Sequence, residues 1–256
     1  MDVDLQLEGL RALVTGGTKG IGRAVVEGLV AEGASVAFCA RTESDVTAAV
    51  EELQDGGATV VGTALDIGDG PALIQWVNDS AAELGGIDIV VANVSALAIG
   101  IEGEEPWKQS FEVDLMGTVR MVDAAMPFLG RSQAPSIVTV SSVSAREIDF
   151  AAGPYGTFKA AIVHYTQGLA FQLAGKGIRA NTVSPGNTYF PGGVWESVES
   201  GNPQLFADSL ALNPTGRMAR PEEIARGVVF LASPAASFVS GTNLVIDGAL
   251  TRGVQF

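Results

Sequence analysis

Arg11-Ala12-Leu13-Val14-Thr15-Gly16-Gly17-Thr18-Lys19-Gly20-Ile21-Gly22 runs from a short apolar segment through a glycine-rich turn into the start of an amphipathic one. The apolar part reads as a buried strand, Arg11–Thr15, and the segment from Gly20 as a helix. Glycines allow a tight turn and let a phosphate approach the backbone, and a helix N-terminus offers free N–H groups and a positive dipole end. A glycine string alone is a weak signal. Set between a strand and a helix, early in an alternating chain, it points to a dinucleotide pyrophosphate. Gly16, Thr18, Lys19, Gly20, Ile21 and Gly22 are therefore candidate cofactor-binding residues.

The same rhythm continues outward. Apolar runs rich in Val, Ile and Ala predict further strands at Ser35–Ala40, Thr59–Ala64, Ile87–Asn93, Ser136–Ser141, Ile178–Ser184 and Asn243–Ile246. Amphipathic stretches predict helices over Gly20–Glu32, Ser44–Asp55, Gly70–Leu84, Pro106–Leu129, Pro154–Gly175 and Pro221–Ala232. Alternation of this kind implies an α/β fold, a Rossmann-type doubly wound parallel sheet of about seven strands with helices on both faces, and ligands bound beyond the C-terminal strand ends. With no repeat or linker in view, residues 1–256 are expected to form a single domain. Asn187 to Gly216 falls outside the rhythm and reads as an irregular substrate lid.

The end of the second strand selects the dinucleotide, since an acid there binds ribose hydroxyls while a base binds a 2′-phosphate. Here the strand runs into Ala40-Arg41-Thr42, with no carboxylate before Glu43, and Lys19 adds a second cation. Arg41 and Lys19 together favour NADP(H). The alternative is that both are solvated surface charges and NAD(H) binds.

A second constellation lies at Ser141-Ser142 and Tyr155-x-x-x-Lys159. If Pro154 opens a helix, Tyr155 and Lys159 stand one turn apart on one face. A free phenol titrates near pH ~10, and a nearby cation lowers that value. The tyrosine then becomes a usable acid or base, and a serine hydroxyl could hold a substrate oxygen beside it.

Composition removes other classes. A net charge of −14 disfavours nucleic acid and anionic membranes as partners. The N-terminal MDVDLQLEGL lacks a signal-peptide pattern, and the most apolar region, Ile87 to Ile101, is interrupted by Asp88, Asn93 and Ser95. The single cysteine, Cys39, reads as a buried small hydrophobe, and no His/Cys cluster suggests a metal. A cytoplasmic protein is expected.

Taken together, the glycine loop, Asp66, Asn93, Ser142 with Tyr155 and Lys159, Asn181-Thr182-Val183-Ser184-Pro185-Gly186 and the closing Pro221 to Gly248 segment resemble the single-domain short-chain dehydrogenase/reductase family over essentially the whole chain. The resemblance implies that Tyr155 exchanges a proton with a carbonyl or alcohol oxygen. Lys159 would tune the tyrosine and hold the nicotinamide ribose, and Ser142 would hydrogen-bond the substrate oxygen. Asp66 would meet the adenine, Asn93 the adenosine ribose, and Pro185, Gly186 and Thr188 the nicotinamide. It also implies a homotetramer or homodimer built on the Pro106–Leu129 and Pro154–Gly175 helices.

Departures from the family pattern stand beside these matches. Asp114 occupies the place of an asparagine that usually joins the lysine to a water chain; as a carboxylate it would either partly cancel the lysine's field or simply pair with Lys159 and change little. Asn93-Val94-Ser95 replaces Asn-Ala-Gly, and Phe190 stands where a threonine is common, so Thr188 takes over a carboxamide contact or none exists.

The expected activity is hydride transfer between NADP(H) and a carbonyl or secondary alcohol of a small, mainly apolar molecule. Phe190, Val194, Trp195 and Phe206, with Val143, Ile148 and Phe150, would line its cleft. Two other readings stay open: an NAD(H)-linked alcohol dehydrogenase, and a dinucleotide-binding protein with little turnover.

Overall fold

The computed structural model describes residues 4–54, 59–100 and 102–254. Met1 to Val3 of the N-terminal segment, the predicted helix end at Asp55, the end of the apolar stretch at Ile101 and the terminal Gln255-Phe256 lie outside them.

Seven strands form one sheet: β1 Arg11–Thr15, β2 Ser35–Ala40, β3 Val60–Ala64, β4 Ile89–Ala92, β5 Ser136–Val140, β6 Arg179–Pro185 and β7 Asn243–Ile246. Their order is β3-β2-β1-β4-β5-β6-β7, and every pairing is parallel. The helices are α1 Gly20–Ala31, α2 Glu43–Leu53, α3 Gly70–Leu84, α4 Glu105–Ser110, α5 Gly117–Leu129, α6 Pro154–Leu173, α7 Val194–Gly201, α8 Pro203–Ala211 and α9 Pro221–Ala232.

Strand side chains alternate between two apolar layers. Ala12, Val14, Val36, Phe38, Ile89 and Val91 meet α1, α2 and α9 on one face. Leu13, Ala37, Cys39, Val90 and Ile137 meet α3, α5 and α6 on the other. Burial on both faces explains why the strands read as continuous apolar runs. The order reverses between β1 and β4, so the strand ends there open a crevice.

Two expectations need correction. The single helix expected over Pro106–Leu129 is broken by a π turn, Phe111–Met116, between α4 and α5. The extra residue in such a turn re-aims side chains, and Asp114 sits inside it, fully buried. The lid, expected to be irregular, contains α7 and α8. Pro203 serves as a first-turn proline and Asn202 Oδ1 caps α8 by accepting the Leu205 amide at 3.1 Å, so residues that look like loop punctuation are helix starts.

Candidate active site

The strand ends and the lid enclose a cavity of about 1050 Å³. At its inner wall Ser141 and Ser142 follow β5 and have different partners. Ser141 Oγ donates to the Lys159 carbonyl at 2.7 Å, which fastens β5 to α6. Ser142 faces the cavity, and its hydroxyl is the neighbour that favours an ionised Tyr155.

Pro154 opens α6 at its first turn, so Tyr155 and Lys159 share one face and both line the cavity. Lys159 Nζ lies 5.7 Å from the Tyr155 ring centre. The lysine is buried, and its ammonium donates to the Val140 carbonyl at 3.1 Å. Asp114 Oδ1 stands 3.6 Å from the same nitrogen, and Asp114 Oδ2 accepts the Ala96 amide at 3.0 Å. Among the described residues Oδ1 has no hydrogen-bond partner.

This wall sets the protonation of the site. Burial pushes the Tyr155 phenol up to about 12, the Asp114 and Asp149 carboxylates add to that, and the Ser142 hydroxyl opposes it. Burial also lowers the Lys159 ammonium, while Asp114 works the other way and helps to keep it charged. Asp114 therefore stabilises the cation and opposes the phenolate.

The glycine loop forms the other end. Gly16, Thr18, Lys19 and Ile21 line the cavity with Arg41, Asp66 and Asn93. Gly20 and Gly22 act behind that surface. Gly20 has φ +55, and a side chain there would run into the Phe190 ring. A side chain at Gly22 would overlap the Gly16 carbonyl. Asn93 Nδ2 donates to the Thr15 carbonyl at 3.1 Å, so this side chain ties β4 to the start of the loop. Asp66 Oδ1 accepts the Gly68 amide at 2.9 Å. Pro185, Gly186 and Thr188 line the lid side, where the Thr188 hydroxyl donates to the Gly186 carbonyl at 3.0 Å.

The cleft residues expected from sequence divide. Val143, Phe150, Phe190, Val194 and Trp195 line the cavity. Phe206 lies behind Trp195, with ring centres 6.4 Å apart, and Ile148 points to solvent at 95% exposure. Phe150 meets Trp195 edge to face at 5.2 Å, joining the loop after β5 to the lid.

The comparisons with known proteins agree with this fold. A family model described as "Enoyl-(Acyl carrier protein) reductase", from the short-chain dehydrogenases, matches residues 16–251. The chain belongs to the short-chain dehydrogenase/reductase family. Isoepoxydon dehydrogenase patN of Penicillium expansum is 42% identical over 98% of both chains. An NADPH-bound short-chain oxidoreductase from Pseudomonas aeruginosa, described as containing an atypical catalytic center, superposes with a TM-score of 0.88 at 27% identity, covering 96% of this chain and 98% of that one. A 7α-hydroxysteroid dehydrogenase complexed with NADH and 7-oxo glycochenodeoxycholic acid gives 0.89 at 26% identity, covering 97% and 98%.

As a member of this family, the chain is an oxidoreductase that uses a nicotinamide dinucleotide. Its residues fit that group. The positive φ of Gly16 and Gly20, with glycines also at 17 and 22, leaves a backbone cradle at the start of α1. The Lys159 ammonium has three donors; Val140 takes one and Asp114 stands beside another, which leaves one that would serve a ribose hydroxyl.

One site residue escaped the sequence reading. Asp45, in the first turn of α2, lines the cavity and pairs with Lys19 at 2.7 Å. This end of the cavity therefore holds Lys19, Arg41 and a carboxylate, where two cations alone were expected. Arg41 is exposed and makes no ion pair among the described residues. Among the described residues no cluster of His, Cys, Asp or Glu suits a metal, and no helix is long and apolar enough to cross a membrane.

Proposed function

We propose that the chain is an NADP(H)-dependent carbonyl reductase or alcohol dehydrogenase acting on a small molecule with a mainly apolar body. The observation that carries this reading is the convergence of Ser142, Tyr155 and buried Lys159 on the cavity that the glycine loop also lines. The bound nicotinamide supplies or accepts the hydride. Ser142 holds the substrate oxygen, and the Tyr155 hydroxyl gives that oxygen a proton in reduction or takes one in oxidation. General acid–base help of this kind is worth typically ~10²–10⁴-fold. Lys159 fixes the ribose, and the aromatic contact between Phe150 and Trp195 closes the cleft over the reacting atoms.

Small ketones and secondary alcohols suit the cleft better than acyl-carrier substrates. Residues 180–216 contain no Arg or Lys, and the lid carries Glu196, Glu199 and Asp208 instead. The name of the fungal relative makes isoepoxydon a natural first alcohol to test. Residues 1–256 are read as one cytoplasmic domain with a lid over 187–216. A homotetramer or homodimer is favoured by exposed Trp107, Phe111 and Phe171 on the α4–α5 and α6 segments.

Asp45 favours a second reading, NAD(H)-linked oxidation, because a carboxylate beside the ribose repels a 2′-phosphate. Turnover of a ketone and alcohol panel with both cofactors tests the activity. NADPH and NADH affinities in the wild type and in Arg41→Ala separate the two readings. A wild-type preference for NADPH that Arg41→Ala removes supports the first, and equal affinities in both proteins defeat it.

A further inference from the structure

Ser144 lies two residues past Ser142, on the 3₁₀ turn Val143–Ala145 that follows β5, and it lines the same cavity. Its hydroxyl donates to Asp149 Oδ2 at 2.7 Å, while Asp149 Oδ1 accepts the Ala151 amide at 2.9 Å. A serine hydroxyl has one proton and two lone pairs. With that proton committed to a carboxylate, Ser144 can only accept from a group in the cavity. Hydrogen bonding to a charged partner also polarises the oxygen and makes it a better acceptor.

The position of this pair is the reacting end of the cavity. Ser142 Oγ accepts the Ser144 amide at 3.2 Å, so the two serines belong to one hydrogen-bonded turn. The Asp149 charge is also felt at the Tyr155 phenol. Val143, Phe150 and Trp195 make the neighbouring wall apolar. An acceptor set among such groups loses hydration when a substrate enters and leaves a deficit unless the substrate offers a donor.

We propose that Ser144, held by Asp149, is a second substrate-binding point that accepts a hydrogen bond from a substrate hydroxyl, so that the enzyme prefers hydroxylated ketones and the corresponding diols to simple ketones and alcohols. The proposal rests on the carbonyl–alcohol reaction proposed above and defines its substrate class. Ser142 and Tyr155 hold the reacting oxygen and Ser144 holds a second oxygen, so two points fix the orientation of the substrate in the cavity. A site that hydrogen-bonds a substrate hydroxyl discriminates against analogues lacking it, because its polar group is then left unpaired.

The test compares kcat/KM for cyclohexanone with that for 2-, 3- and 4-hydroxycyclohexanone, using both cofactors, in wild type, Ser144→Ala and Asp149→Asn. The wild type is expected to prefer at least one hydroxy isomer by about 10-fold or more, in the range of a hydrogen bond to a polarised group. Ser144→Ala is expected to lower the ratio of kcat/KM for the preferred hydroxycyclohexanone over that for cyclohexanone by about 10-fold, to near one, since the contact removed is made only by the hydroxylated substrate. Asp149→Asn, which still offers an acceptor to Ala151, is expected to lose part of it.

No preference for any hydroxy isomer in the wild type overturns the proposal. So does a preference that survives Ser144→Ala, or an equal loss on all ketones in both variants, the mark of a loop fastening alone. No turnover of any ketone with either cofactor defeats the underlying reaction and this proposal with it. Turnover without hydroxyl preference defeats this proposal alone.

Discussion

The ammonium of Lys159 lies 3.6 Å from Asp114 Oδ1 with both side chains sealed from solvent, so the cation beside Tyr155 is paired with a carboxylate. A π turn in the helical segment before β5 places that carboxylate. An asparagine there could keep the hydrogen bond to Ala96 but would bring no charge.

Asp114→Asn is expected to shift the tyrosine's titration. The phenolate is the base in alcohol oxidation, and Asp114 disfavours it, so removing the negative charge lowers the phenol's pKa. In the pH profile of oxidation, the limb that rises as Tyr155 ionises should move toward lower pH by about one unit, a shift ordinary for one nearby charge. Reduction, which uses the neutral phenol, should change little near neutral pH. An unmoved limb contradicts the role given to Asp114.

Asp45→Asn should change cofactor choice. In the wild type, Asp45 holds Lys19 at 2.7 Å, so a 2′-phosphate arriving there would have to compete for the ammonium and would meet a like charge. The variant is expected to bind NADPH a few-fold more tightly, a modest effect because the pair is solvent-screened. NADH affinity should stay level or weaken. Fluorescence titration of both reduced cofactors reads the result, and a parallel change for both would show that Asp45 does not discriminate.

Trp195→Ala should loosen the lid. Trp195 is buried between Phe150 of the β5 loop and Phe206 of α8, at 5.2 and 6.4 Å between ring centres. Aromatic pairs of this kind contribute about 0.5–1.5 kcal/mol beyond their burial. Steady-state kinetics should show KM for the ketone raised at least several-fold, with cofactor affinity nearly unchanged. A loss confined to cofactor binding would place Trp195 elsewhere in the mechanism.

Asp88→Asn tests the frame that carries the site. Asp88 accepts Arg11 Nε and Nη2 at 2.7 and 2.8 Å and the Ser132 hydroxyl at 2.6 Å, at the N-terminal side of the sheet. Burial alone would raise this carboxyl; the Arg11 guanidinium, the Ser132 hydroxyl and the Arg11 amide outweigh it and hold it below its usual range. A depressed carboxylate stabilises the fold fully above the unfolded value near pH ~3.9, and that contribution fades as pH falls through the folded value. Urea unfolding at pH 7 should show the variant about 2–3 kcal/mol less stable, and the difference should shrink below about pH 4.

Much of this was legible in the sequence because it rests on local periodicity. Strands buried on both faces appear as apolar runs, and Tyr155 and Lys159 share a face because Pro154 starts α6. Four features were hidden because periodicity carries no mark of them. Asp45 reaches the cavity beside Lys19 from the first turn of α2, past the position where a strand-end acid is sought. The π turn at Asp114 leaves no mark in a pattern that reads as one helix. The lid helices start at residues, Gly193 and Pro203, that also punctuate loops. Ser144 and Asp149 were visible only as letters near the serine pair, since their hydrogen bond depends on how the loop after β5 folds back.

Tyr155→Phe tests the central claim most directly. With NADPH and a ketone that the wild type reduces, kcat/KM should fall by at least ~10²-fold, the lower end of what general acid help supplies. Cofactor affinity should stay close to that of the wild type, because the ring is kept. A variant that reduces the ketone at the wild-type rate would contradict the account and place the proton donor on another residue.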